Sequence, residues 1–273
     1  MDRIIGFDPK YLDPSHFWSN LECFSLNALD EDLLQEIPTK MIALSKDDIA
    51  LLTSNMDLIT KGEVLDNLPH QSKIDNAISE YGGKAFFKLS VRSPKDSLFY
   101  KKRSIQNNQP IEFTVESAVE LYQCLFTSLR TIVDIMRSLI NDIPVHIVLR
   151  KYIAISGWQE FRCFIVDSKL VGVSQYDYEN YYSELQGKEE LILSLIRKRL
   201  NSVYGRIPKT CILDVFIQDF EKVIVLEMNP FGCRAGASLY HNGNHEDFEK
   251  NGWDLHMFNE PIKILKDPVK KSQ

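Results

Sequence analysis

No stretch of this 273-residue sequence could cross a bilayer: apolar runs such as Val223–Leu226 fall far short of the roughly 20 residues a spanning helix needs. The opening Met1-Asp2-Arg3-Ile4-Ile5-Gly6 is not a charged region followed by a long apolar stretch, so no secretory leader is expected. Cysteines are few and unpaired. Cys23, Cys124, Cys163, Cys211 and Cys233 are odd in number and form no C-x-x-C, and several sit in apolar runs. Reduced core thiols are therefore expected, rather than disulfides or a zinc site. An excess of positive charge is missing too: the net formal charge of −6 argues against a general nucleic-acid binder, although a local basic cleft stays open. There is no Walker-type G-x-x-x-x-G-K-[ST], no G-x-G-x-x-G and no G-x-S-x-G elbow. Low-complexity tracts and internal repeats are also absent. What remains is ordinary globular material, 44% hydrophobic and 26% charged, long enough for two lobes. A soluble, cytoplasmic protein without nucleic-acid or membrane partners is expected.

The first seventy residues read as short helices and loops punctuated by Pro9, Pro14, Pro38 and Pro69, with one helix over Lys46–Leu52. Ser72 is expected to cap a helix carrying Ile74, Ala77, Ile78 and Tyr81, which Gly82-Gly83 would end. A strand over Ala85–Leu89 follows. Residues 114–141 place apolar side chains at helical spacing from Val115 to Ile140, which predicts one helix of about seven turns capped by Thr114. Strands are expected at Val145–Ile153, Glu160–Val166, Leu170–Gln175, Cys211–Ile217 and Lys222–Met228, with a helix over Lys188–Val203. The pattern is α+β, with antiparallel sheets and flanking helices. Lys263–Gln273 reads as a loose basic tail.

The most informative pair is Leu213-Asp214-Val215-Phe216-Ile217 and Val223-Ile224-Val225-Leu226-Glu227-Met228-Asn229, close enough to form a hairpin. If Ile217 pairs with Ile224, Asp214 falls opposite Glu227, and Asn229 shares their face. Two facing carboxylates among Ile, Leu and Val repel, so a cation should sit between them. Mg²⁺ suits, because it takes oxygen ligands and combines carboxylates with phosphates. Another register would leave each carboxylate to an arginine or to water. Arg150, Lys151, Glu160 and Arg162 form a charged set on strands, which is either a cleft wall able to hold phosphate or an exposed face with ordinary ion pairs. The run from Lys88 to Ser97 carries Ser90, Arg92, Ser93, Lys95 and Asp96, and could hold polyphosphate or simply be a solvated turn. His241 and His245 are four apart, but Asn242-Gly243-Asn244 between them disfavours a helix and hence a metal pair.

These blocks resemble the cell division cycle protein 123 family. The likeness runs through Ile78…Gly82-Gly83…Phe87-Lys88-Leu89-Ser90…Ser93-Pro94-Lys95-Asp96, then Leu149-Arg150-Lys151-Tyr152, Glu160-Phe161-Arg162-Cys163-Phe164 and Val173-Ser174-Gln175. It ends with Leu213-Asp214-Val215 and Glu227-Met228-Asn229-Pro230-Phe231-Gly232, covering about residues 74–232 in order. The resemblance implies an ATP-grasp-like fold of two lobes holding Mg-ATP, here divided as residues 1–148 and 149–273. It implies that Lys88 contacts phosphate and that Ser93 lies in the adjoining loop. Arg150 and Lys151 would lie along the nucleotide, with Tyr152 and Ile153 beside adenine. Glu160 would face the ribose, Arg162 the phosphates, and Gln175 would belong to the cofactor-binding set. Asp214, Glu227 and Asn229 would hold Mg²⁺. The implied role is assembly of translation initiation factor 2 through its gamma subunit, and the alternative is an ATP-grasp ligase that activates a carboxylate or modifies a protein. The chain departs from the family at Ser90-Val91, Tyr176 and Ala235-Gly236, where Asn-Trp, Arg and Thr-Asp are common.

Overall fold

The computed structural model describes residues 24–63, 67–90, 92–141, 144–230, 236–241 and 258–266. After a 3₁₀ turn at Leu26–Ala28 come helix α1 (Glu31–Leu34), strand β1 (Thr39–Leu44), α2 (Lys46–Ser54), α3 (Met56–Lys61) and α4 (Gln71–Glu80). Next are β2 (Ala85–Leu89), α5 (Leu98–Asn107), β3 (Thr114–Val115), α6 (Ala118–Phe126), α7 (Leu129–Asn141) and β4 (Val145–Lys151). A 3₁₀ turn at Gly157–Gln159 leads into β5 (Glu160–Val166), β6 (Lys169–Gln175), α8 (Glu189–Val203), β7 (Cys211–Gln218) and β8 (Lys222–Asn229). A further 3₁₀ turn, Ser238–His241, and β9 (Ile262–Lys263) close the described elements.

These form two compact units: Ile37–Ile153, and the residues before Ile37 together with those from Ala154 onward. The first holds an antiparallel sheet of order β1-β4-β2-β3, in which β4 runs unbroken through residue 148. One face of that sheet (Ile42, Leu44, Ala85, Phe87, Leu89, Ile147, Leu149) packs with Ile74, Ala77, Leu121, Tyr122 and Leu125 of the helices into one core. Alternation sends Thr39, Phe86, Lys88, Val148 and Arg150 to the other face.

The stretch 114–141 is not one helix. Thr114 belongs to β3, and α6 is capped instead by Ser117, whose Oγ accepts from the Glu120 amide at 3.2 Å. The chain then breaks at Thr127-Ser128: Thr127 Oγ1 bonds back to the Gln123 carbonyl at 2.7 Å, and Ser128 Oγ accepts from the Thr131 amide at 3.3 Å. Two hydroxyl side chains compete with the helical ladder there, although the apolar period runs on across the break. Likewise α4 starts after His70, which is left-handed with φ 53°, and not at a Ser72 cap. Its end is as expected, with Gly82 and Gly83 at φ 93° and 94°.

The second unit holds a five-stranded sheet, β8-β7-β5-β6-β9, antiparallel except where β9 runs parallel to β6. Residues 263–266 are therefore not a loose tail: Lys263 sits opposite Ser174, and Lys266 pairs with Glu189 of α8. Residues 267–273 of that expected tail lie outside the described set, as do Cys23, Val91, Phe231–Ala235 and His245. Alternation divides this sheet as well. Phe161, Cys163, Val173, Leu213, Val215 and Val225 point to one buried face, while Glu160, Arg162, Ser174, Asp214 and Glu227 point to the other. At the far end of that polar face the rings of Phe164, Tyr240 and Phe258 meet over Gly172, where an added Cβ would lie 2.6 Å from Phe258. Among the described residues no helix is long and apolar enough to cross a membrane, and Cys124, Cys163 and Cys211 are buried thiols outside any disulfide.

Candidate functional site

The β7–β8 hairpin turns through Asp219 and Phe220, both left-handed at φ 51° and 56°. The connection has three residues, Asp219–Glu221, closed by the Glu221 amide donating to the Gln218 carbonyl at 2.9 Å, and is built without glycine. Phe220 stacks on Trp158, centroids 5.0 Å apart, with the Lys188 ammonium 3.8 Å from its ring. The tight turn sets Gln218 opposite Lys222 and Ile217 opposite Val223, not Ile224 as the sequence reading supposed. Continued regularly, that register would bring Leu226 to Asp214. A shift between Asp214 and Val215 absorbs Leu226 as an extra residue, and beyond it Asp214 faces Glu227 and Ile212 faces Asn229. The assumed pairing was one residue off, and the bulge restores its consequence. Bulges re-aim side chains in this way.

Asp214 is 1% exposed, and Arg162, directly across from it on β5, is 7% exposed. The guanidinium grips the carboxylate with two parallel bonds, Nε to Oδ1 at 2.8 Å and Nη2 to Oδ2 at 2.7 Å. Asn229 Nδ2 adds a third bond to Oδ2 at 3.0 Å. Arg162 Nη1 donates to the Gly236 carbonyl at 3.1 Å, and its Cζ lies 4.9 Å from the centroid of the Tyr176 ring. Burial by itself would lower the guanidinium pKa, but the Asp214 charge and hydrogen bonds, with smaller help from Tyr176 and Glu227, hold it above its ordinary value. Arg162 is thus a permanent cation here. The sequence reading asked for a cation between the carboxylates and named a metal. The folded chain supplies one to Asp214 alone, from β5 on the side away from Glu227, and Arg162 is bound to that carboxylate. The Cys163 thiol, on the opposite face, is pushed up by burial and by Asp214.

The donor set still suits a hard cation. Asp214, Glu227 and Asn229 offer oxygen atoms only, and Asn229, donating through Nδ2, keeps its Oδ1 as the ligand atom. Among the described residues no group of three or more His, Cys, Asp or Glu gathers as a metal site. This set counts two carboxylates and an amide. Glu160 faces Phe216 and lies two residues from Arg162 on the same face. Gln175 is different: fully buried, it donates to the Asn180 carbonyl at 2.6 Å and to that of Asp177, and accepts from the Leu265 amide at 3.2 Å. Its amide fixes backbone rather than facing a ligand, contrary to its placement in the cofactor-binding set. Tyr176 and Gly236 are the residues sequence reasoning missed as contacts. The signal for Tyr176 was its strand position, next to Gln175 and opposite Glu160.

In the other unit, Lys88 (3% exposed) faces Val148, and Arg150 (5% exposed) faces Phe86, so the two cations are diagonal neighbours on one sheet face. Such neighbours are spaced roughly 7–8 Å. Arg150 Nε donates to Thr39 Oγ1 at 3.1 Å, and Thr39 donates to the Ile37 carbonyl at 2.6 Å. Lys151 is exposed and points to the opposite face. Tyr152 lies under the Lys84 ammonium at 4.5 Å and shares a hydrogen bond with Glu112; burial first, and that carboxylate second, raise its phenol pKa. Ile153 is half-buried beside it. The turn after β2 is mostly self-satisfied: Arg92 forks onto Asp134, Nε to Oδ2 at 2.7 Å, and Asp96 accepts from Ser128 Oγ at 2.5 Å and the Arg130 amide at 3.2 Å. Ser93 stands half-buried in that turn.

A family model described as D123 matches residues 47–267. A translation initiation factor eIF2 assembly protein of Xenopus laevis is 29% identical over 194 residues, covering 67% of this chain and 54% of that protein. A Cdc123-like protein of Acanthamoeba polyphaga mimivirus is 29% identical over 214 residues, covering 74% of this chain and 61% of that protein. In these alignments the chain spans about half the length of the curated relatives it matches. The solved structure of Cdc123 from Schizosaccharomyces pombe superposes with a TM-score of 0.67 at 19% identity, covering 91% of this chain and 98% of that one. The α+β architecture with antiparallel sheets and flanking helices expected from the sequence is borne out, and the fold is that of the Schizosaccharomyces pombe structure.

Proposed function

The chain belongs to the D123 family, and on that premise we propose that it binds Mg-ATP and acts as an assembly factor for translation initiation factor 2 in the cytoplasm, with the gamma subunit as its partner. The observation that carries the nucleotide reading is the bulge at Leu226, which sets Glu227 opposite Asp214, with Asn229 bonded to the same carboxylate and a buried arginine fork beside them. A hairpin folding only for stability gains nothing from two facing carboxylates. The partner reading is supported by relatives whose names describe eIF2 assembly.

Asp214, Glu227 and Asn229 would hold Mg²⁺, which when bound neutralises phosphate charge and orients the polyphosphate. The other roles belong to the chain itself. Arg162 orients the Asp214 carboxylate through two bonds and contributes a fixed positive charge near the phosphates. Lys88 and Arg150 supply further cations, and Ser93 a hydroxyl in the phosphate-side loop. Tyr152 and Ile153 form the apolar side of the adenine segment, Lys151 lies along the nucleotide, and Glu160 accepts from the ribose. None of this requires bond-making by the protein.

Isothermal titration tests the proposal. ATP should bind in the presence of Mg²⁺ and lose at least tenfold in affinity in EDTA. Mg-ATP at 100 times its Kd should stabilise the fold by about 2.7 kcal/mol through mass action. Equal affinity with and without the metal would remove Asp214, Glu227 and Asn229 from the ligand set. Lys88→Ala should weaken Mg-ATP binding in the same titration.

A further inference from the structure

We propose that Tyr176 is a positioning residue: its ring underlies the Arg162 guanidinium, holds that fork on Asp214, and through it fixes the orientation of a metal-binding carboxylate. The inference rests on the Mg-ATP reading above.

A guanidinium has donors only in its plane, so its edges and its faces are satisfied by different partners. Here each of the three nitrogens has an in-plane partner. Nε and Nη2 bind Asp214 at 2.8 and 2.7 Å, and Nη1 binds the Gly236 carbonyl at 3.1 Å. Gly236 is left-handed at φ 74°, and even an added Cβ would come within 3.5 Å of that nitrogen. Rotation about the guanidinium's long axis remains, and in-plane bonds resist it weakly. Cζ sits over the Tyr176 ring, 4.9 Å from its centroid, and contact with the ring opposes that rotation.

The fold delivers Tyr176 to this place. Its amide donates to the Glu160 carbonyl at 3.0 Å, extending the β5–β6 ladder by one residue past Gln175. The buried Gln175 amide then pins the departing chain through the carbonyls of Asp177 and Asn180 and the amide of Leu265. Tyr176 is therefore on a strand end tied at three points, not on a free loop. The line of action runs from ring to fork to carboxylate. Partners one layer behind a metal ligand commonly tune affinity by roughly 10–100-fold.

The test uses wild type, Tyr176→Phe, Tyr176→Leu, Arg162→Lys and the Leu/Lys double variant. Without any ligand, the Arg162 Nε–H resonance, identified by its loss in Arg162→Lys, should keep its ring-current shielding in Tyr176→Phe and lose it in Tyr176→Leu. With Mg-ATP, Tyr176→Phe should bind within twofold of wild type and Tyr176→Leu about tenfold more weakly. In the Arg162→Lys background, Tyr176→Leu should add less than twofold. Should the leucine variant fail to fold, Tyr176→Met gives the same comparison. A Phe variant as weak as the Leu variant, or a Leu effect undiminished in the Arg162→Lys background, would overturn the proposal. If wild type fails to bind Mg-ATP, the functional reading falls on its own, and the ligand-free resonance still decides the positioning. An unshifted signal in Tyr176→Leu refutes it.

Discussion

At Asp214 two opposing electrostatic effects meet, and their balance fixes what a mutation does. Glu227 across the strand pair repels it, which by itself would make Asp214→Asn a stabilising change. Arg162 grips it with two short bonds at a site 1% exposed, and in a buried pair the loss of one partner leaves a desolvated charge. The second effect is the larger, because the fork is bidentate and shielded while Glu227 is only half-buried. Asp214→Asn should therefore lower the stability of the free protein by about 3 kcal/mol, measured by urea unfolding, and abolish Mg-dependent nucleotide binding. A rise in stability would mean that repulsion from Glu227 dominates. The sequence showed the facing carboxylates but not that Arg162 would grip Asp214 from the strand on its other side. Arg162 lies 52 residues from Asp214, and only the β5–β7 register, set by Phe161 opposite Val215, brings them together.

Elements show the same limit in another form. Strands such as Ala85–Leu89 and Glu160–Val166 stand where alternation and composition place them, because one side of each packs in a core. The Leu226 bulge was not legible because Val223–Leu226 is an unbroken apolar run with no alternation for an extra residue to disturb, and the Thr127-Ser128 break was not because two hydroxyls leave the helical apolar period intact. Strand β1 was hidden as well, because Thr39-Lys40-Met41-Ile42-Ala43-Leu44 lacks strict alternation. The start of α7 carries a prediction of its own. Asp96 is drawn upward by burial, but bonds from Ser128 and the Arg130 amide outweigh that and leave its carboxyl below the ordinary value. A depressed folded pKa means that the stabilisation is present above the unfolded value, about 3.9, and is lost as pH falls through the folded one. Unfolding free energy should consequently drop less steeply below pH ~4 in Asp96→Asn than in wild type, as followed by circular dichroism across an acid titration. Identical acid limbs would show that Asp96 does not anchor α7.

For the whole molecule, the question is what the proposed nucleotide binding would serve. A ligase must split ATP in step with product and shield an acyl phosphate from water. An assembly factor needs only a difference in nucleotide affinity between two states, one of which binds the partner better. The proposed reading is the latter, with Arg162 committed to Asp214. The isolated chain should thus show negligible ATP hydrolysis over hours, while its affinity for the gamma subunit of translation initiation factor 2 changes at least fivefold between Mg-ATP and EDTA. By linkage, the subunit must then tighten or loosen Mg-ATP by the same factor, which can be measured independently by titrating nucleotide into the preformed complex. Asp214→Asn should erase both couplings together. ADP formation in step with a covalent mass gain on the partner, lost in the same variant, would instead make the chain a ligase acting on that protein.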